Sequence, residues 1–422
     1  MRYENKRWHR EDNFFVNQST SFDLSNVRVL HNGVDTVKEL FQCTIKPDLL
    51  ANLDHVFNDS FERIYTVGGY SWLVSKSSKN TGYQYILRNN DVGLVVLLKS
   101  FYLDADLHGS HMKIEGSPHL IDSMTPEQYS EFTQKIAQLF GHQVLPIGCA
   151  VHLAVDVKNW RPDSNFEYAL VTRSKRRMAF AGISNASYDV AEVASIYGDR
   201  QTFTFGSASS VQLSVYDKVT EAIKRDKIDY WESKWRQIPA VDDFMESEYK
   251  AGDQVTRIEG RLHHSVIQQF CNGTVGADGK NITIYNFADC AEHLTALWHY
   301  VLNNFRLHHS STYVHPFWQL LEEDVQFFKP SPGFHYKRAQ KNPDNENVKR
   351  KIAIWLGNTI RLYARRNFKT EYIVGLLSQA SLDDEIGYYL GLPFTDKDLL
   401  HSALMDFVDK KREVLILQGI AA

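Results

Sequence analysis

Two stretches of the chain alternate apolar and polar residues with a period of two, the mark of strands that pack on one face and stay polar on the other. In the first, from Tyr65 to Gly116, Gly68 and Gly69 supply a turn before YSWLV. Gly82 and the cluster from Asn89 to Asp91 separate YQYILR from LVVLLK, and HMKIEG sets Lys113 and Glu115 opposite Met112 and Ile114. These segments predict antiparallel hairpins, stopped by Ser117 and Pro118. A helix is predicted next, with Thr125 as its cap and Pro126 at the first helical position, where a missing N–H costs nothing. Its apolar face holds Phe132, Ile136, Leu139 and Phe140.

The second alternating stretch contains VHLAVD (151–156), SSVQLSVYDKVTE (209–221) and VTRIEGRL (255–262). Val211, Leu213 and Val215 alternate with Gln212, Ser214 and Tyr216, so Tyr216 is expected on the open face of a strand. Lys218 follows on the same side and Glu221 opens a helical run. In the next strand Arg257, Glu259 and Arg261 share one face. From residue 286 the period becomes helical: Ala291, Leu294, Leu297, Trp298 and Val301 fall on one side of a helix. Ile352, Trp355, Leu356, Ile360 and Tyr363 do so in another, and DKDLLHSALMDFVDKK forms a further amphipathic run.

The fold class this predicts is α+β, with antiparallel sheets, flanking helices and a helical C-terminal region. The expected organisation is an N-terminal extension over 1–60, holding at most a short helix at VKELFQ, a core domain over 61–285, and a helical, partly basic region over 286–422, with a linker or tight connection at KPSPG (329–333). KIEG (113–116) and RIEG (257–260) each follow a strand ending in lysine, which suggests a duplication into halves 61–145 and 146–285, packed as a saddle. Leu97 then falls where Tyr216 stands. Coincidence of short strings is the alternative.

With 422 residues and 43% hydrophobic content, the chain can bury a substantial core. A formal charge of −4 excludes a uniformly basic DNA coat, so charge has to be read by region. Between Lys329 and Glu371 eleven Lys and Arg face three Asp and Glu, a local basic excess around an amphipathic helix. Arg173, Lys175, Arg176 and Arg177 form a second basic cluster. Cys43, Cys149, Cys271 and Cys290 lack metal-finger spacing and are expected to be reduced packing residues. His308, His309 and His315 lack ligand spacing with carboxylates and read as packing or surface residues. The charged start and the lack of a long apolar run predict a cytoplasmic protein with no membrane span.

A phenol, an ammonium and a carboxylate at a strand-to-helix junction, beside a strand carrying Arg-x-Glu-x-Arg on one face, suit a charged ligand. Arginines hold phosphate in fork geometry, and a carboxylate can hold a divalent metal. The alternative reading is a solvated tyrosine beside a self-paired charge ladder.

YDKVTE followed by TRIEGRL resembles the replication initiation factors of rolling-circle plasmids and filamentous phages, which pair a Y-x-K-x-x-E junction with an R-x-E strand. VHLAVD is similar to that family's R-I-D-x-x-x-D piece, with Ala150 in place of the arginine, His152 in place of the first aspartate, and Asp156 retained. GYQYILRNND and HMKIEGSPH are similar to the N-terminal portion of the phage-type members, so the resemblance spans residues 60–275.

The resemblance implies a nicking and rejoining enzyme in which Tyr216 attacks a phosphodiester, Lys218 and Arg257 stabilise phosphate charge, and Mg2+ or Mn2+ is held by Glu259, Asp156, His152 and Glu221. A tyrosine, with a pKa of about 10, needs such help at neutral pH. DNA contacts are expected from Arg173, Lys175, Arg176, Arg177, Arg261, Lys349, Arg350, Lys351, Arg365 and Arg366. Partners implied are origin DNA, single-stranded or hairpin at the nick, and a host helicase and polymerase. No P-loop motif is present to supply unwinding. A homodimer is an open option, and Tyr230 and Tyr197 are candidates for a second nucleophile. The rival readings are a non-catalytic origin-binding or transcriptional regulator and a conjugative relaxase.

Overall fold

The computed structural model describes residues 4–330 and 348–417, apart from 61, 164, 174–176, 181–201, 226, 238–247, 277–278 and 393–395. The chain opens with a three-stranded antiparallel meander, β1 (His9–Glu11), β2 (Phe14–Val16) and β3 (Ser21–Asp23). It continues into β4 (Arg28–Ile45), an 18-residue strand at the heart of the main sheet. This corrects two expectations: residues 1–60 are not an appendage, and VKELFQ is strand, not helix. Its Val37, Phe41 and Cys43 alternate into the core, and that burial overrides the helical look of the short string.

After α1 (Leu49–Asp59) come the hairpin strands β5 (Ile64–Val67), β6 (Tyr70–Lys76), β7 (Tyr83–Asn89), β8 (Leu94–Ser100) and β9 (Gly109–Gly116). Next are α2 (Pro118–Ile121) and α3 (Pro126–Phe140). The N-terminus of α3 is closed by a capping box in which Thr125 Oγ1 accepts from Gln128 N while Gln128 Oε1 accepts from Thr125 N.

The second half starts with β10 (Gly141–Lys158), followed by α4 (Phe166–Ala169), β11 (Leu170–Thr172), β12 (Arg177–Phe180), β13 (Thr202–Gly206) and β14 (Val211–Asp217). Between β14 and β15 (Val255–Leu262) lie α5 (Lys218–Lys224) and α6 (Ile228–Trp235). The helices α7 (His264–Asn272), α8 (Phe287–Ala291) and α9 (Leu294–Asn304), the strand β16 (Phe305–Leu307), which pairs with β11, and α10 (Pro316–Asp324) complete the unit.

Among the described residues the main sheet has 11 antiparallel strands, in the order β12-β13-β14-β15-β10-β4-β9-β8-β7-β6-β5. Outward from the β10–β4 pair the two sides repeat: β10-β15-β14-β13 on one, β4-β9-β8-β7 on the other. The registers repeat as well. Arg257 lies between Tyr216 and Asp156, as Lys113 lies between Leu97 and Leu40, and Thr202 faces Tyr216 as Ile86 faces Leu97. Thr36 pairs with His152 where the pseudo-two-fold axis crosses the central strands. The repeating unit therefore begins at Arg28, not at residue 61. The shared glycine of KIEG and RIEG has a packing reason: a Cβ on Gly116 would lie 2.3 Å from Tyr129 Oη of α3, and one on Gly260 would lie 2.7 Å from the Val301 side chain of α9. Each glycine lets a helix approach the sheet.

One face of the sheet carries the main core, with Val37, Ile114, Val151, Leu153, Val155, Leu213, Val215 and Ile258 packed under the helices. Glu39 is buried on this side, accepting from Ser130 Oγ at 2.7 Å, Phe287 N at 2.6 Å and Thr133, and burial raises its pKa. All four cysteines are buried free thiols. The helices α8 to α10 fall in the same compact unit as the sheet and not, as expected, in a separate region from 286.

Lys337–Ala422 is a second unit, of α11 (Val348–Ala364), α12 (Thr370–Ser378), α13 (Asp383–Leu390) and α14 (Lys397–Leu417), around Leu356, Ile373, Leu377, Ile386 and Leu404. Most of the expected linker, from residue 331, lies outside the described residues. Mixed helices and antiparallel sheets with a helical C-terminal region make the protein α+β. Among the described residues, no helix is long and apolar enough to cross a membrane.

Candidate active site

The sheet face opposite the main core carries the chemistry. Strand alternation puts Gln212, Ser214 and Tyr216 of β14, Arg257, Glu259 and Arg261 of β15, and His152 and Asp156 of β10 on that side, in neighbouring register. Tyr216 Oη donates to Glu259 Oε2 at 2.9 Å. Arg261 Nε donates to Glu259 Oε1 at 2.8 Å, and His152 Nδ1 lies 3.1 Å from the same oxygen. Arg261 Nη1 reaches Gln212 Oε1 at 3.1 Å.

The expected openness of this face is corrected. Tyr216 is only 7% exposed and Arg257 is fully buried, because α5 and α6 lie over the face and place Tyr230, Trp231 and Trp235 in a second apolar cluster. The Arg257 guanidinium stacks 3.9 Å from the Trp231 ring centroid.

Asp35 was not singled out from the sequence, yet it completes the site. A β-bulge shifts the β4–β10 register between His152 and Leu153, so the run Val34-Asp35-Thr36-Val37 buries both valines in the core and leaves Asp35 and Thr36 between them on the polar side. A carboxylate oxygen of Asp35, a ring nitrogen of His152 and a carboxylate oxygen of Glu259 lie within 4.8 Å of one another. Asp35 also accepts from Arg257 Nη1.

Two expected metal ligands lie elsewhere. Asp156 is held bidentately by Arg257, Nε to Oδ1 at 2.6 Å and Nη2 to Oδ2 at 2.7 Å, and accepts from Trp235 Nε1 at 2.9 Å, so its lone pairs are committed to a buried ion pair. Glu221 is paired with Lys218 at 2.6 Å and with Arg225 at 2.9 Å. Lys218 sits 4.4 Å from the Trp231 ring centroid and 5.8 Å from that of Tyr216. Arg257, proposed as a phosphate contact, is occupied by Asp156 and Asp35.

The electrostatics follow from burial and pairing. Burial alone would raise the carboxyl of Glu259, but Arg261 and His152 outweigh it and hold it well below its ordinary value. Burial likewise pushes Asp35 up, and Arg257 brings it down below the ordinary range. Burial lowers His152 against the pull of Glu259, which keeps the imidazole neutral. Tyr216 is raised well above the usual phenol, by burial first and Glu259 second. Two ionised carboxylates and a neutral imidazole form a donor set that fits a divalent cation, since ligands must be deprotonated to bind.

Of the expected DNA contacts, Arg261 faces the site. Arg173 is exposed beyond β11, and Arg177 opens the edge strand β12. Lys351, Arg365 and Arg366 are exposed in the second unit, where Lys349 and Arg350 lie in α11. Lys175, Arg176 and Tyr197 lie outside the described residues. Tyr230 donates to Asp122 Oδ2 from within the α6 cluster, 5% exposed, in a packing role. The histidines at 308, 309 and 315 pack as expected: His315 Nδ1 accepts from Phe317 N at 3.1 Å to cap α10, His308 Nδ1 lies 3.1 Å from Ser310 O, and His309 packs edge-on to Trp8.

Fold and site together define an α+β protein whose antiparallel sheet repeats its strand order and register and, among the described residues, carries an acid-and-imidazole centre beside a tyrosine. No protein-family profile matches the chain, and no solved structure matches it. It is 32% identical over 394 residues, 91% of this chain and 90% of the other, to the uncharacterized protein ORF430 of Pseudomonas phage Pf1. The chain belongs to the same family as that phage protein, which makes it phage-related.

Proposed function

We propose that the protein is a rolling-circle replication initiator that nicks and rejoins one DNA strand through Tyr216. The observation that carries this reading is the 2.9 Å hydrogen bond from Tyr216 Oη to Glu259, a carboxylate shared with His152 and lying within reach of Asp35. Relationship to a phage protein is compatible with a replication role.

In this reading Tyr216 Oη forms a bond to the scissile phosphorus as its phenol proton passes to Glu259. The bond from phosphorus to the 3′-oxygen breaks, and that oxygen leaves as a 3′-hydroxyl by taking the proton that Glu259 received from the phenol. The 5′-phosphate end stays on the protein as a phosphotyrosine ester, so the reverse attack by a 3′-hydroxyl rejoins the strand without ATP. Asp35, His152 and Glu259 would hold a divalent ion, Mg2+ or Mn2+, which when bound supplies Lewis-acid stabilisation of charge on the phosphate oxygens. Arg261, 18% exposed at the edge of the site, would contact phosphate, and Lys218 would place positive charge over the Tyr216 ring. A separate helicase would unwind the duplex and a polymerase would extend the 3′ end.

Incubating the full-length protein with labelled hairpin and supercoiled DNA carrying the replication origin, with Mg2+ or Mn2+, tests this. A denaturation-resistant protein–DNA adduct is the expected product. The low exposure and raised pKa of Tyr216 favour a second reading, origin binding without catalysis. Retarded DNA with no adduct in either metal would select it.

A further inference from the structure

The two repeating halves of the main sheet treat their polar faces differently. In the second half the β14–β15 connection is long and folds α5 and α6 over the strands, leaving Glu259 2% and Arg257 0% exposed. In the first half β8 and β9 are joined only by residues 101–108, and no helix of that connection covers the equivalent positions. The side chains of Lys38, Lys113 and Glu115 there are 12%, 19% and 14% exposed.

The residue pattern differs in the same direction. Glu115 stands where Glu259 stands, but Leu97 replaces Tyr216, Leu40 replaces Asp156, and Lys38 replaces Ala154. Nucleophile and buried ion pair are lost, and a cation is gained. Lys113 Nζ lies 3.2 Å and Lys38 Nζ 3.5 Å from Glu115 Oε1, two ammoniums on one carboxylate oxygen. That oxygen accepts no hydrogen bond of good geometry. Lys38 sits two residues from Thr36, the register partner of His152, so this basic patch adjoins the Asp35, His152 and Glu259 cluster across the pseudo-two-fold axis. Burial first, then His264, and after them Lys113 and Lys38, hold the imidazole of His263 down, to about 4.

We infer that Lys38 and Lys113 form a phosphate subsite for the single-stranded DNA backbone next to the scissile phosphate, so that the strand lies across the half that α5 and α6 do not roof and meets Tyr216 from that side. The inference rests on the nicking reading for the identity of the ligand as a DNA strand and for the place of the scissile phosphate beside Tyr216; the charge of the subsite does not depend on it. Lysine is suited to the task as a point charge on a flexible stem, able to leave Glu115 for a phosphate. Glu115 keeps both ammoniums aimed into the face when no DNA is bound.

The test measures binding of a labelled oligothymidine to the full-length Tyr216→Phe protein in EDTA, so that neither nicking nor metal contributes. The salt dependence is read for Lys38→Met, Lys113→Met and the double variant. Each neutralised phosphate contributes about 0.7 to the slope of log K against log salt on single strands, so the double variant should flatten it by about 1.4.

Because the lysine variants leave Glu115 without its partners, melting curves monitor folding, and Glu115→Gln gives an independent arm. It removes the competing carboxylate and should tighten binding several-fold. An unchanged slope in a folded double variant, or unaltered binding by Glu115→Gln, overturns the subsite whether or not Tyr216 forms an adduct. Absence of oligothymidine binding by the parent protein overturns it as well. Loss of the adduct in wild-type protein with the slope change intact would remove the nicking reading and leave the subsite standing.

Discussion

Asp156 and Arg257 face each other on adjacent central strands, β10 and β15, and bond bidentately with neither side chain exposed to solvent. A pair of this kind holds the sheet in register and fixes the guanidinium under Trp231, and it leaves Asp156 committed to Arg257 and Trp235.

Asp156→Asn and Asp35→Asn should therefore behave differently. The first leaves Arg257 short of a buried counter-charge and should cost about 3–5 kcal/mol of stability, as broken buried pairs do. The second retains that pair, and its main effect should be weaker Mn2+ binding. Denaturant melts together with metal titration by calorimetry separate the two, and equal destabilisation with unaltered metal affinity would assign Asp35 to structure alone.

Glu259→Gln should abolish metal-dependent nicking while origin binding persists, since the change removes one charge from the centre of the site. Gel retardation and nicking assays on the same preparation check it. Nicking at the wild-type rate by the Gln variant would show that the carboxylate takes no part.

Gly260→Ala should destabilise the sheet by about 1–3 kcal/mol, the usual cost of overpacking, because the new methyl meets Val301 of α9. Val301→Ala in the same chain should recover part of the loss. Chemical denaturation of the four-member cycle measures the coupling.

Acid should weaken the fold in a defined window. Burial lowers His31 and His315 from 6.5 to about 4. Their neutral forms are favoured in the folded state, so the unfolded chain binds protons more readily between those values. Stability is then fully present above about pH 6.5 and falls as pH drops toward 4. A Tm series from pH 8 to 4 should show a plateau followed by a decline. His315→Asn, which keeps a helix cap at that position, should lessen the slope.

The sequence carried β5 to β9, the C-terminal half of β10, β14, β15 and the packing face of α9, because their alternation or helical spacing is regular; it did not show β12 and β13. It carried the shared face of Arg257, Glu259 and Arg261 for the same reason, and the correspondence of Leu97 with Tyr216 through the repeated IEG string. Asp35 escaped because a bulge breaks the period at Val34-Asp35-Thr36-Val37, where two polar residues between two buried valines were the available signal. The roof of α5 and α6 escaped because alternation tells which residues share a face and not what covers it. Asp156 was misassigned because a sequence motif does not reveal that an arginine on the next strand has taken its oxygens.

Removing residues 337–422 should weaken duplex binding and reduce its salt dependence, because much of the basic excess lies in that unit. Unchanged affinity and slope would assign the helical unit to another task.

The central claim is that Tyr216 forms a covalent bond to DNA. Tyr216→Phe removes one oxygen and one hydrogen bond worth about 1 kcal/mol, so fold and DNA affinity should survive. Mass spectrometry of proteolysed protein–DNA reactions reads the outcome directly. The account predicts a nucleotide on the peptide containing Tyr216 in wild-type protein and no adduct in the Phe variant. An adduct that persists in the Phe variant at the wild-type rate, or maps to another residue, would contradict it.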